Sequence, residues 1–401
     1  MDNNLRGVPV EGFAGKSREA AVEGIVLLKN ENNTLPLTEQ DKVSVFGRPM
    51  IEYYRSGTGS GGAVNVEYAT NILDGFENSN LNFNRTIVED YKEWLKDHPF
   101  DNGGGGWACE PWFQKDMEIT ADYAKKQAES TNKAVYIIGR TAGEDKDNAN
   151  WVGSYLLTDE EKENLKNITE AFEDVCVVLN VSNIIDLKWI DEEQFKGHIK
   201  SVIIVWQGGM EGGNAVADAL SGKATPSGKL PDTVAYNIED YPANDNFGNE
   251  LTNLYKEDIY VGYRYFETFA PEKVQFEFGF GLSYTTFDIE TVSADADDEK
   301  ITLEVKVTNT GDKFSGKEVV QVYYEAPQGA LGQPARQLCA YEKTENLAPG
   351  QSQTLKIAFD INGIASYDDS GATGNKSCYV LEAGDYNLSL IHISEPTRRV
   401  V

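Results

Sequence analysis

Two hydrophobic rhythms divide this chain. In the first, short apolar runs alternate with amphipathic stretches. Val43–Gly47, Ala134–Ile138, Val175–Val181 and Ser201–Trp206 are nearly unbroken apolar runs, as expected of strands buried on both faces of a parallel sheet. Between them, Ser17–Asn30, Tyr68–Phe76, Val88–Leu95, Ile119–Thr131 and a stretch starting near Thr158 carry helical spacing. Ser17 is placed to cap the first helix. Thr158-Asp159-Glu160-Glu161 reads as a capping box, with Glu161 at the third helical position. Asn214–Leu220 opens a further helix after the Gly-rich loop Gly208–Gly213. Strands alternating with helices predict a parallel, right-handed α/β sheet, closed by Pro226–Leu230.

Near Pro242 the texture changes. Tyr241–Lys256 is polar and turn-rich. Tyr260–Phe266 and Phe276–Phe287 are dense in aromatics and Gly, and they are expected to tie two domains together, with Arg264 in that interface. From Lys300 the period becomes two. Ile301, Leu303, Val305 and Val307 alternate with polar residues, and Val319–Tyr324, Thr354–Phe359 and Tyr386–Leu390 follow. Turn signals such as Asn309-Thr310-Gly311-Asp312 and Ala348-Pro349-Gly350 separate them, which predicts an antiparallel sandwich of fibronectin type. The expected fold class is a mostly parallel α/β sandwich domain over 1–240, a linker or wrapping segment over 241–284, and an all-β fibronectin type III-like sandwich over 285–390. The tail 391–401, IHISEPTRRVV, breaks the pattern. It reads as translated sequencing-adapter sequence, with the natural chain cut near Leu390.

Composition narrows the function classes. The 401 residues, 40% of them hydrophobic, suffice for two or three domains with a large core. A formal charge of −29 repels phosphate backbones, which sets nucleic acid aside; the acidity serves solubility. The three His show no metal-ligand spacing, and the four Cys form no C-x-x-C, against structural zinc or thioredoxin-like chemistry. Cys176 lies inside an apolar strand and reads as a small core residue. No apolar run reaches the length of a membrane span. No basic segment leads into an apolar one at the start. The expected location is the cytoplasm, with reduced thiols.

The candidate chemistry lies in Ala134–Trp151, AVYIIGRTAGEDKDNANW. The strand breaks at Gly139 into a loop holding Arg140, Gly143, Glu144, Asp145, Lys146 and Asp147. A charged loop at the carboxyl end of a parallel strand is where open α/β sheets place ligands. Glu144 is the candidate catalytic acid, against the alternative of a solvated loop carboxylate. Asp145, Asp147 and burial under substrate are expected to raise its pKa, and Lys146 to lower it. Asp147 holds the loop or pairs with Arg140, or is a surface charge. Trp151 stacks on a sugar or packs under the loop. Gly57–Gly62, GTGSGG, matches G-x-G-x-x-G. About ten residues separate it from its strand, which favours a flexible ligand-facing loop over a dinucleotide site. Asp101–Trp112, DNGGGGWACEPW, is either a loop whose aromatics pack back or a sugar-stacking platform.

Eight motifs then coincide in order: AAVEGIVLLKNENNTLPL, GTGSGG, GRTAGEDKD, PSGKLPDT, YVGYRYF, FGFGLSYTTF, VTNTGDKFSGKEVVQVYY and NLAPGQ. Together, over nearly all of residues 17–390, they resemble glycoside hydrolase family 3, the β-glucosidase and β-xylosidase family. The resemblance implies that family's α/β sandwich domain followed by its fibronectin-like domain. The family's (β/α)8 barrel, which carries the Asp nucleophile, has no match here. The order resembles permuted members, in which the barrel comes last. Retaining hydrolysis uses two carboxyl groups about 5–5.5 Å apart. The resemblance assigns the acid/base to Glu144 and offers Asp147, Arg140 and Trp151 for substrate binding. In the commonest family form, G-E-G-x-D-R, Asp145 stands for the second Gly and Asn148 for the Arg.

The implied substrate is an oligosaccharide or an aryl or alkyl β-glycoside, split without metal or organic cofactor. The implied partner is the missing barrel; a homo-oligomer is compatible. Without a nucleophile the isolated chain is expected to be inactive. Two readings stand beside this one: a noncatalytic carbohydrate-binding or accessory protein on the same scaffold, and a nucleotide-binding α/β protein acting through GTGSGG.

Overall fold

The computed structural model describes residues 8–62, 64–195, 197–390 and, for the backbone alone, 398–400. The chain forms two compact units. One comprises the chain up to Lys229 together with Gly281–Tyr284; the other comprises Leu230–Phe280 and the chain from Thr285 onward.

The first unit is built on a six-stranded sheet. In chain order its strands are β1 (Val26–Asn30), β2 (Lys42–Phe46), β3 (Asn82–Phe83), β4 (Lys133–Gly139), β5 (Asp174–Asn180) and β6 (Ile199–Ile204). Their spatial order is β1-β6-β5-β4-β2-β3. All neighbours run parallel except β1, which pairs antiparallel with β6. Ala134–Ile138 and Val175–Leu179 are at most 1% exposed, so the unbroken apolar runs do mark strands covered on both faces.

The helices are α1 (Phe13–Gly24), α2 (Ile72–Glu77), α3 (Arg85–Asp97), α4 (Ala121–Ala128), α5 (Asp159–Ala171) and α6 (Gly212–Leu220). The capping box holds: Glu161 N donates to the Thr158 hydroxyl and Thr158 N to the Glu161 carboxylate. Asn71 and Asp74 form a second box that starts α2. One helix expectation is corrected. Ser17 lies inside α1 rather than at its start, and the second half of Ser17–Asn30 is strand β1. Ile25–Leu28 are four consecutive residues no more than 3% exposed. A helix buries one stripe, whereas an edge strand covered on both faces buries such a run whole.

The second unit carries a helix, α7 (Tyr263–Phe269), and a two-stranded ribbon of β7 (Val234–Ala235) with β8 (Val274–Phe276). Its sandwich has a three-stranded sheet of order β13-β10-β9 and a four-stranded sheet of order β12-β11-β16-β17. These are β9 (Phe287–Ala296), β10 (Lys300–Asn309), β11 (Val319–Glu325), β12 (Gln337–Lys343), β13 (Ser352–Asp360), β16 (Tyr386–Ser389) and β17 (Arg398–Val400), with β14 (Ser366–Asp368) and β15 (Cys378–Val380) as a separate hairpin. All pairs are antiparallel. The alternating residues Ile301, Leu303, Val305 and Val307 meet Val320, Val322, Leu355 and Ile357 in one core, as a period of two requires. Of the tail, residues 391–397 and 401 lie outside the described residues. No helix among the described residues is long and apolar enough to cross a membrane.

Candidate active site

The site is assembled at the carboxyl ends of β4 and β5 in the first unit. Asn180, at the end of β5 and fully buried, closes both ends of its amide on the loop after β2. It accepts from Tyr54 N at 2.9 Å and donates to Tyr54 O at 2.9 Å and Trp206 O at 2.6 Å. This anchors the segment that runs into Gly57–Gly62 at the edge of the sheet.

The Gly-rich loop then lies along the loop after β4. Thr58 N donates to Ala142 O at 3.0 Å, and Thr58 and Gly143 form a parallel bridge. A Cβ on Gly143, whose φ is +154°, would sit 2.7 Å from Thr58 N, so only Gly allows the two backbones this close. Gly143 N donates to Lys146 O at 3.2 Å and Lys146 N to Gly143 O at 3.0 Å. The result is a tight turn with Glu144 and Asp145 at its tip. Asp145 has φ of +58°, in the left-handed region where Gly is the ordinary occupant and Asp is among the tolerated residues.

Glu144 is exposed but held. Its Oε2 accepts from Ser60 N at 2.9 Å and from the Ser60 hydroxyl at 2.7 Å. These two bonds, the backbone one first, hold its carboxyl below the usual glutamate range. That is opposite to the expected direction. The neighbouring acids Asp145 and Asp147 are not among the causes, and the group is exposed. The amides of Thr58, Ser60 and Gly62 have internal acceptors, so half of this loop's N–H groups are committed within the chain.

Arg140 is corrected as a substrate-binding candidate. It is 3% exposed and grips Glu161 with two bonds of 2.6 Å, while further donating to the carbonyls of Gly139 and Ser154. It therefore joins the end of β4 to the start of α5 and reaches neither Asp147 nor solvent. Asp147 is exposed and contributes its carbonyl, which accepts from Trp112 Nε1 at 3.0 Å. Trp151 is 63% exposed and meets Trp112 edge-to-face at 5.6 Å, so it is not core packing.

Sequence reasoning passed over the clamp between this turn and the 101–112 segment. Trp107 Nε1 donates to Asp145 Oδ2 at 2.9 Å. Lys146 Nζ lies 4.5 Å from the Trp112 ring centroid and donates to Ala108 O at 3.4 Å. Three consecutive turn residues thus hold three points of the Gly- and Trp-rich segment. Its exposed Trp107, together with Tyr53, Tyr54, Arg55 and Phe100, walls a cavity of about 710 Å³ that the Gly-rich loop also borders. The two Trp in an exposed loop and the Asp in a family Gly position were the available signals. Ser60 stood inside the Gly-rich motif read as a flexible ligand-facing loop.

Beneath lies a buried acid. Asp116 accepts from Arg48 N at 2.9 Å and Met117 N at 2.8 Å, and burial pushes its carboxyl up to about 7. It lies under the site and outside the cavity that borders the Gly-rich loop.

Comparison with known proteins fits this architecture. Residues 25–284 match the C-terminal domain of glycosyl hydrolase family 3, and residues 318–392 match a fibronectin type III-like domain. A β-glucosidase of Ruminococcus albus is 49% identical over 93% of this chain, which spans 39% of that protein. The structure of a β-glucosidase from Paenibacillus barengoltzii superposes with a TM-score of 0.96 at 56% identity, over 99% of this chain and 43% of that one. β-Glucosidase 3B of Thermotoga neapolitana, solved with α-D-glucose, follows with a TM-score of 0.84 at 33% identity, over 94% of this chain and 52% of that one. The chain thus spans about half the length, or less, of these relatives.

Proposed function

The chain belongs to glycosyl hydrolase family 3, and on that premise we propose that it supplies the acid/base half of a retaining β-glucosidase, with Glu144 as the acid/base. The observation that carries this is the placement of Glu144: at the tip of a clamped turn, at the carboxyl edge of a parallel sheet, with one carboxyl oxygen anchored and the other without a partner among the described residues. Glu144 protonates the leaving glycosidic oxygen in the first half of the reaction and deprotonates water in the second. The nucleophile comes from the part of the full protein that this chain does not include. Terminal β-linked glucosides are the proposed substrates. Trp107 and Trp151, exposed on the segments that flank the turn, offer aromatic faces to the leaving group.

The test is Glu144→Gln in the protein completed with its barrel. Alkyl glucosides, whose leaving oxygen needs a proton, should lose about 10²–10⁴-fold in kcat/KM, whereas nitrophenyl glucosides should lose far less. Equal loss on both removes Glu144 from the role. The chain of 401 residues by itself should not turn over either substrate.

A further inference from the structure

We infer that Ser60 is a positioning residue that decides which oxygen of Glu144 carries the proton. The inference rests on the reading of Glu144 as the acid/base and goes beyond it. Ser60 gives two donors, its N–H and its hydroxyl, to the same atom, Oε2. A carboxyl oxygen offers two acceptor sites in its plane, so both sites on Oε2 are filled. Oε1 has no hydrogen-bond partner among the described residues. A proton on Glu144 therefore resides on Oε1, and Oε2 accepts both Ser60 bonds whether the group is neutral or ionised.

The Gly-rich loop is shaped for this contact. Gly59 has φ of +79°, and a Cβ there would fall 2.4 Å from the Glu144 Cβ and 2.8 Å from Oε2. A side chain at 59 would push Glu144 off its anchor. Thr58 adds a bond from its hydroxyl to Glu144 O at 3.3 Å, so side chain and backbone of Glu144 are held by one loop. GTGSGG is in this account a cradle for a carboxylate of the same chain.

The proton accounting follows. In the first step the Oε1–H bond breaks and the proton passes to the glycosidic oxygen, that oxygen takes the electron pair of its bond to the anomeric carbon, and the nucleophile carboxylate supplied by the rest of the protein forms its bond to that carbon. Glu144 is left ionised, and the charge that spreads to Oε2 meets two donors already in place. In the second half a water oxygen attacks the anomeric carbon, the bond to the nucleophile carboxylate breaks, and the proton of the water goes to Oε1. Ser60 keeps its own proton throughout. Because its bonds favour the ionised form, Ser60 makes Glu144 the stronger acid, which matters most for poor leaving groups.

Two measurements test this. In the 401-residue chain, the Glu144 carboxyl carbon is followed by ¹³C NMR through a pH titration, its signal assigned by its loss in Glu144→Gln. Ser60→Ala should move the midpoint upward, toward that of free glutamate. Ser60→Thr, which keeps both donors, should leave it in place. An unmoved midpoint in Ser60→Ala overturns the inference. In the barrel-completed enzyme, Ser60→Ala should shift the alkaline limb of kcat/KM to higher pH and slow alkyl glucosides on the order of tenfold, with Ser60→Thr restoring both. A pH profile identical to the parent also overturns it. Glu144→Gln keeps the two readings apart. If that variant still cleaves alkyl glucosides normally, the acid/base reading falls. If it does not, while Ser60→Ala moves neither midpoint nor limb, the Ser60 inference alone falls.

Discussion

Asp116 and Glu144 stand in the same unit and are pushed in opposite directions. Asp116 is sealed inside, and loss of water drives its carboxyl up to about 7 even though two backbone N–H groups point at it. Glu144 stands in solvent, where the two Ser60 donors outweigh the loss of water and pull its carboxyl down. The most raised carboxyl pKa would select Asp116, which is 7% exposed and does not line the cavity that the Gly-rich loop borders. Burial shifts an acid wherever it occurs, whereas catalysis needs the shift at an atom a substrate can touch. On the proposed reading of Glu144 as the acid/base, the raised pKa that a glycosidase acid requires would be completed there by apolar cover from substrate and from the rest of the protein.

The contrast can be sharpened by three further variants. The largest effect is expected at the buried pair. Glu161→Gln keeps a capping-box residue at the start of α5 but leaves the Arg140 guanidinium, 3% exposed, without its counter-charge. A loss of about 3–5 kcal/mol in denaturant unfolding is expected; a loss under about 1 kcal/mol would show that water reaches Arg140 and that it is not committed to structure.

Asp116→Asn comes next. The folded pKa of Asp116, about 7, lies above its unfolded value of 3.8. Below the lower value both states are protonated and the group contributes nothing. As pH rises from about 4 to about 7 the unfolded chain ionises first, so Asp116 costs stability progressively through that window and by a constant amount above it. Asparagine still accepts from Arg48 N and Met117 N. The variant should therefore match the parent near pH 4 and exceed it by on the order of 3 kcal/mol at pH 7. A parallel pair of stability–pH curves would break the comparison from its buried side.

The smallest effect is expected at the clamp. Trp107→Phe keeps the ring and removes the donor to Asp145, which should cost about 1 kcal/mol or less and raise amide exchange in residues 103–110 without altering global unfolding. Unchanged exchange there would mean the Trp107–Asp145 bond does not hold the segment.

The parallel strands were legible because Ala134–Ile138 and Val175–Val181 are apolar on both faces, and the sandwich because Ile301–Val307 alternates. Strand β1 was not legible, since VLLKN continues a helical spacing and only its partner β6 decides the matter. Strands β9 and β12 escaped because Phe287–Ala296 and Gln337–Lys343 bury little of either face. At the site, Glu144 was singled out through its neighbours in the motif. Arg140 was misjudged because its partner Glu161, already explained as a cap, carries a second duty 21 residues away. Ser60 lies 84 residues from Glu144, and no spacing rule links them.

The first unit is finished late. Its main body ends at Lys229, yet Gly281–Tyr284 belong to it. Leu282 N donates to Leu27 O at 2.8 Å, Lys229 Nζ to Gly281 O at 2.8 Å, and the Tyr284 hydroxyl to Ala219 O at 3.0 Å. On a ribosome the strand β1 edge waits for residues made more than 250 positions after it, as Leu27 and Leu282 show. A nascent chain shorter than 284 residues leaves that edge open to pairing with another copy. Synthesis order and folding order cannot coincide here, and the cleanest place to shorten the polypeptide lies after Tyr284 rather than after Lys229.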